Sequence, residues 1–120
     1  MQVEILKSKI HRAKITGSNL NYEGSMTIDR ELMEKAGLMP HEKILASNMA
    51  NGERFETYVI CGEAGSGAIV LNGATSHLGK AGDRLTIMNF GLIEQSEAKR
   101  WHPRIIVLDD NNKIINERGL

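Results

Sequence analysis

A serine directly after a glycine is a place where a chain can cut itself, and this chain has one at Gly24-Ser25, within Asn21-Tyr22-Glu23-Gly24-Ser25-Met26. Glycine leaves its carbonyl sterically open. The hydroxyl of the next residue can attack that carbonyl and convert the amide to an ester. Breaking the ester by elimination, then losing ammonia to water, would turn Ser25 into a pyruvoyl group, so that the chain makes its own cofactor. By itself Gly24-Ser25 reads as an ordinary turn leading into a helix at Asp29. Its setting is what points to chemistry: Lys9-Ile10-His11-Arg12 before it, Ile28-Asp29 after it, Asn51-Gly52-Glu53-Arg54-Phe55-Glu56-Thr57-Tyr58 further on, then Leu71-Asn72-Gly73-Ala74.

These residues need a scaffold, and the length limits it. A chain of 120 residues, 41% hydrophobic and 4% aromatic, predicts one domain spanning residues 1–120 with a small, mainly aliphatic core. A domain this small leaves much of its surface exposed, and self-association is a common remedy. Fifteen basic and fifteen acidic residues cancel, which argues against nucleic acid and anionic membrane as partners. The single cysteine, Cys61, excludes an internal disulfide and fits a cytoplasmic location. It lies in the apolar run Tyr58-Val59-Ile60-Cys61 and is expected to be a buried packing residue. The N-terminus lacks a signal-peptide core, and no segment approaches the length of a membrane span.

Short β segments punctuated by glycine dominate the pattern. Val3 to Thr16 alternates in part, with Ile10, Ala13 and Ile15 as its apolar positions; Phe55, Thr57 and Val59 alternate against Glu56, Tyr58 and Ile60. Ala68 to Leu71, Arg84 to Phe90, Arg104 to Leu108 and Lys113 to Ile115 complete the expected strands, with turns at Asn72-Gly73, Gly82-Asp83 and Asp109 to Asn112. One helix is expected, capped by Asp29, carrying Leu32, Met33 and Ala36 on one stripe and stopped by Gly37; a shorter one is expected near Ser96 to Arg100. Many short strands with few helices suggest a small closed or nearly closed barrel.

On such a scaffold Lys9 and His11 share one face of a strand. Thr57 and Tyr58 are adjacent on another, so a regular strand points them to opposite sides. His41, His77 and His102 show no metal-ligand spacing, and no metal site is expected. The sequence also lacks a lysine context for pyridoxal phosphate and a glycine-rich phosphate cradle.

Taken together, the motifs resemble the aspartate 1-decarboxylase family from about Lys9 to Pro103, in order and without insertions. That family comprises pyruvoyl enzymes that make β-alanine for pantothenate and coenzyme A. The resemblance implies a six-stranded double-psi β-barrel, assembled as a homotetramer with sites between subunits, and self-cleavage into residues 1–24 and 25–120. Ser25 would become the pyruvoyl group, whose ketone takes the amine of L-aspartate as a Schiff base. Thr57 would stabilise the oxyanion of self-cleavage and also contact the substrate, and Tyr58 would return a proton after carbon dioxide leaves. Arg54, with Lys9, suits the carboxylate that remains, because holding the departing one would oppose its loss. Asn72 would bond near the pyruvoyl group, Gly73 and Ala74 would admit the substrate, Tyr22 would shape the cleavage loop, and His11 would assist processing. A maturation factor is a possible further partner. The alternatives are a pyruvoyl decarboxylase acting on glutamate, and a small barrel that binds DNA.

Overall fold

The computed structural model describes residues 1–119. The chain forms β1 (Gln2–Lys14), β2 (Gly17–Asn19), β3 (Ser25–Asp29), α1 (Arg30–Ala36), β4 (Lys43–Asn48), β5 (Arg54–Gly62) and β6 (Ile69–Asn72). A 3-10 helix (Gly73–Leu78), β7 (Arg84–Glu94), α2 (Gln95–Ala98), β8 (Arg104–Leu108) and β9 (Ile114–Arg118) follow. All nine strands lie on one hydrogen-bonded path, β2-β6-β3-β5-β4-β7-β1-β8-β9.

That path closes on itself, because β2 is the continuation of β1 after two residues. β1 runs antiparallel to β7, while β2 runs parallel to β6. At the joint the Thr16 amide donates to the Ile69 carbonyl at 2.8 Å, and the Ile69 amide donates back to Thr16 Oγ1 at 3.0 Å. Counting β1 and β2 as one bent strand, the ring is β1/β2, β6, β3, β5, β4 and β7: the six-stranded barrel that the resemblance implies. β8 lies parallel to β1 outside the joint, and β9 pairs with β8.

Bulges in β1 explain its imperfect alternation. The register against β7 shifts between Leu6 and Ser8 and again between His11 and Ala13. Arg12 takes a left-handed φ of 66° at the second bulge. One extra residue flips the parity of everything beyond it. Ser8 and Ile10 therefore point inward before the bulge and Ala13 and Ile15 after it. Lys9 and His11 are left facing outward together.

The core is aliphatic, as the composition requires. Ile10, Met26, Ile28, Leu71, Leu85 and Ile106 are all completely buried, and Phe55 is the aromatic that joins them. The helix α1 is capped as expected: Asp29 accepts from the Glu31 amide at 2.8 Å, and Gly37 ends it with φ 76°. Asp29 also accepts from the amides of Gly65 (3.0 Å) and Gly67 (2.8 Å), tying the end of β3 to the loop after β5. No helix among the described residues is long and apolar enough to cross a membrane.

Three expectations need correction. Cys61 is exposed rather than buried. Pairing of β5 with β4 ends at Tyr58, so Cys61 lies beyond the last rung on that side, at the barrel rim. Three strands, β2, β3 and β4, have no counterpart among the expected segments; β2 and β3 are too short to stand out, and β3 lies too close to the α1 cap. Finally, Asn72-Gly73 is not a simple hairpin turn, since Asn72 ends β6 and Gly73 begins the 3-10 helix.

Asp29 is the joint on which these elements turn. Asp29→Ala removes acceptors for three backbone amides and should cost about 3 kcal/mol, read as a lowered urea midpoint with an unchanged m-value.

Candidate active site

Ser25 opens β3 and is completely buried although it does not face the core. Met26 and Ile28 fill the inner positions of β3, so Ser25 and Thr27 face outward. β6 follows the same rule, with Ile69 and Leu71 inside and Asn72 outside. Ser25 and Asn72 are direct cross-strand partners in the antiparallel β3–β6 ladder. Asn72 Nδ2 donates to Ser25 Oγ at 3.1 Å and to Thr27 Oγ1 at 3.0 Å. Ser25 Oγ donates in turn to the Glu23 carbonyl at 3.0 Å. The hydroxyl is thus held by one donor and one acceptor, away from solvent.

The loop before Ser25 is pressed against Gly73. That residue has φ 68°, and a Cβ on it would lie 2.8 Å from Gly24 Cα and 3.2 Å from the Tyr22 carbonyl oxygen. Both the backbone conformation and the close approach require glycine there. Gly24 itself has open space where a side chain would be. Tyr22 is 51% exposed, so its backbone rather than its ring seals the site. Ala74 follows Gly73 on the surface, and Thr75 Oγ1 donates to the Asn72 carbonyl at 2.8 Å.

The other flank of β3 is β5, running parallel. Its register sets Met26 beside Val59 and Thr27 beside Ile60. Continued back by one and two residues, it sets Ser25 level with Tyr58 and Gly24 level with Thr57. Phe55 and Val59 are buried, which assigns Thr57 to the inner side and Tyr58 to the outer. The two do face opposite ways on a regular strand. Tyr58 therefore shares the outer face with Ser25 and Asn72, and Thr57 sits on the other side of the same rung. The Tyr58 ring is tilted against that of His41, 6.2 Å between centroids.

Arg54 is exposed on the outer face of β5, four residues before Tyr58 and so about 13 Å along the strand. Lys9 and His11 are not in this group. The ladders run Arg54 to Ser47, Ser47 to Thr86, and Thr86 to His11, which puts three strand spacings, roughly 14 Å, between Arg54 and His11. Of the residues singled out by sequence, the structure gathers Tyr22, Gly24, Ser25, Asn72 and Gly73, with Thr57 and Tyr58 alongside. Sequence reasoning missed Thr27, because nothing local marks a strand threonine whose partner is 45 residues away. Among the described residues, no cluster of three or more His, Cys, Asp or Glu could hold a metal ion.

The surroundings of His11 are cationic. Partial burial, then Lys9, Arg12 and Arg118, hold its pKa below the ordinary 6.5. Its Nδ1 is buried with no partner among the described residues. A histidine whose folded-state pKa is depressed opposes folding once charged. Its stabilising effect is complete above pH 6.5 and is lost as pH falls from 6.5 through the lowered folded value, because the unfolded chain takes the proton first. An NMR titration should therefore give His11 a midpoint below 6.5, and Lys9→Met should move it upward.

The arrangement does not stand alone among proteins. A family model for aspartate decarboxylase matches residues 1–115. The aspartate 1-decarboxylase of Caldicellulosiruptor saccharolyticus is 56% identical over 115 residues, which is 96% of this chain and 90% of that protein. The one from Thermoanaerobacter pseudethanolicus is 49% identical over 116 residues, 97% of this chain and 99% of the relative. The one from Clostridium acetobutylicum is 49% identical over 116 residues, 97% and 91% of the two chains. With a buried serine gripped by asparagine at the head of β3, and likeness running almost end to end, the chain belongs to the aspartate decarboxylase family.

Proposed function

We propose that this protein is a self-processing, pyruvoyl-dependent decarboxylase that converts L-aspartate to β-alanine and carbon dioxide, supplying β-alanine for pantothenate. Family membership supports the activity. One observation carries the processing: the Ser25 hydroxyl, buried next to an unhindered Gly24, has its hydrogen bonds directed by Asn72 and the Glu23 carbonyl.

The chemistry balances on residues of the chain. Ser25 Oγ bonds to the Gly24 carbonyl carbon while the Gly24–Ser25 C–N bond breaks and the hydroxyl proton passes to the freed nitrogen. Loss of the Ser25 α-proton then breaks the Cβ–Oγ bond, and Gly24 departs as a carboxylate carrying that oxygen. Water replaces the nitrogen, which leaves as ammonia. The result is residues 1–24 and residues 25–120, the latter blocked by the new group. Thr57, level with Gly24, is the residue assigned to the oxyanion that forms there. His11 is too far along the sheet to assist Ser25 of its own chain.

The residues present fit a pyruvoyl group, since Ser25 supplies its carbon skeleton, water would supply its ketone oxygen, and Asn72 Nδ2 is a donor within reach of the Ser25 side chain. The group supplies a carbonyl that takes the substrate amine and an adjoining carbonyl that accepts electrons as carbon dioxide leaves. Tyr58, on the same outer face, would hold the proton to be returned to the substrate's α-carbon, a role that a phenol suits. Gly73 and Ala74 leave room for the substrate against the backbone. Arg54 orients the retained carboxylate with its planar fork.

Lys9 belongs with Arg54 in this assignment, yet the two sit on different parts of one barrel. A neighbouring copy can supply the missing cation, which supports a homo-oligomer, a tetramer in our proposal, with sites between subunits. An exposed Cys61 thiol suits the reducing cytoplasm. The DNA-binding alternative has no support from the relatives described above, and each of them is named for aspartate rather than glutamate.

Intact-protein mass spectrometry tests the proposal. Two fragments meeting at Gly24 and Ser25 are expected, the larger gaining the substrate amine when aspartate and borohydride are added; Ser25→Ala should stay whole and inactive. A wild-type chain that stays uncut even with cell extract as a source of maturation factor would refute it. Arg54→Gln should still cleave but lose roughly a hundredfold in kcat/KM, mostly through KM, as removal of a charged carboxylate contact does.

A further inference from the structure

We propose that Thr27 is a positioning residue for cleavage of the Gly24–Ser25 bond, acting through Asn72; this rests on the self-processing function proposed above. One amide nitrogen serves two hydroxyls, Ser25 Oγ at 3.1 Å and Thr27 Oγ1 at 3.0 Å. The two N–H directions of a planar amide are fixed relative to each other, so the bond to Thr27 sets the direction of the bond to Ser25.

Thr27 is itself held. It is β-branched and sits on a strand between Ile60 and Val70, where such side chains have few rotamers. Its Cγ2 lies 3.0 Å from the point where a Cβ on Gly62 would be, so the methyl occupies the space that glycine leaves. With the methyl seated there, the hydroxyl is turned to Asn72. The backbone of Asn72 is anchored separately, by Thr75 Oγ1 donating to its carbonyl at 2.8 Å. The asparagine is thus fixed at its root by Thr75 and at its tip by Thr27, leaving one N–H for Ser25.

This matters because the same oxygen is the attacking atom and, later, part of the leaving carboxylate. An N–H aimed at Oγ supports the negative charge that builds on it as its proton departs. It stays on that oxygen when the Cβ–Oγ bond breaks. A donor that wanders supports neither step as well, since preorganisation is what makes such a contact effective.

The test follows cleavage of newly made full-length chain in cell-free synthesis, by intact mass, for wild type, Thr27→Val, Thr27→Ser and Asn72→Ala. Valine keeps the branched shape and removes the hydroxyl; it should slow cleavage roughly three- to tenfold, the effect of one hydrogen bond. Serine keeps the hydroxyl and should stay within about twofold of wild type on the same reasoning. In the Asn72→Ala background, Thr27→Val should add no further slowing. Cleavage of Thr27→Val at the wild-type rate overturns the proposal. So does equal slowing by serine and valine, or undiminished slowing without Asn72. If circular dichroism shows that Thr27→Val does not fold, Thr27→Ala takes its place in each comparison. A wild-type chain that never cuts sinks self-processing and the role of Thr27 together; a wild type that cuts beside an unaffected Thr27→Val sinks only the latter.

Discussion

Closure of the sheet between Thr16 and Ile69 is the constraint from which the site descends. The backbone of Thr16 donates to Ile69, its hydroxyl accepts from Ile69, and β2 then runs along β6. Without that joint β6 would be an edge strand, with one row of amides and carbonyls open to solvent and to other chains. With it, β6 is fixed on both sides, and its last residue, Asn72, is held directly opposite Ser25. A contact between residues 16 and 69 thereby sets the geometry between residues 25 and 72.

The site also shows how a hydroxyl is buried at little cost. A polar group taken from water without a partner is expensive, and one with partners is nearly neutral. Ser25 is fully covered, yet its oxygen both donates and accepts. The cover is backbone from Tyr22 to Gly24, and it fits only because Gly73 has no side chain. On the far side of the barrel the terms are less favourable. His11 buries a nitrogen that has no partner among the described residues, near Lys9, Arg12 and Arg118. Both faces carry residues that the sequence singled out, and the ladders hold them apart within one chain.

Much of this was legible in the sequence, and the exceptions share a cause. The helix α1 was readable because its cap, apolar stripe and glycine stop all lie within nine residues from Asp29 to Gly37. Mainly-β class followed from alternation and glycine spacing, and the six-strand count from the family resemblance. Ser25, Asn72, Gly73 and Tyr58 were found through motif likeness, and the ladders explain why those motifs belong together: β5 and β6 flank β3. What stayed hidden depends on pairing between distant segments. Thr27 looks like an ordinary strand residue until β6 is laid beside it. Cys61 reads as core until β4 is seen to stop at Tyr58. The parity switch at Arg12 could not be inferred from alternation alone, because a bulge is an insertion relative to a partner strand.

The position of Gly24–Ser25 in the weave has a consequence for how the matured molecule comes apart. The proposed cut falls at the boundary where β3 begins, and residues 1–24 carry β1 and β2, which are stitched between β7, β8 and β6. Such a cut would leave β1 and β2 paired with β7, β8 and β6, so the two pieces would remain one barrel. Folding, though, changes molecularity. The uncut chain folds as a single molecule, whereas the separated pieces must find each other in solution, at a rate that falls with dilution. Under the proposed cut, the intact chain would fold by a first-order step that the separated pieces no longer have, and the persistence of the cut protein would rest more on slow unfolding.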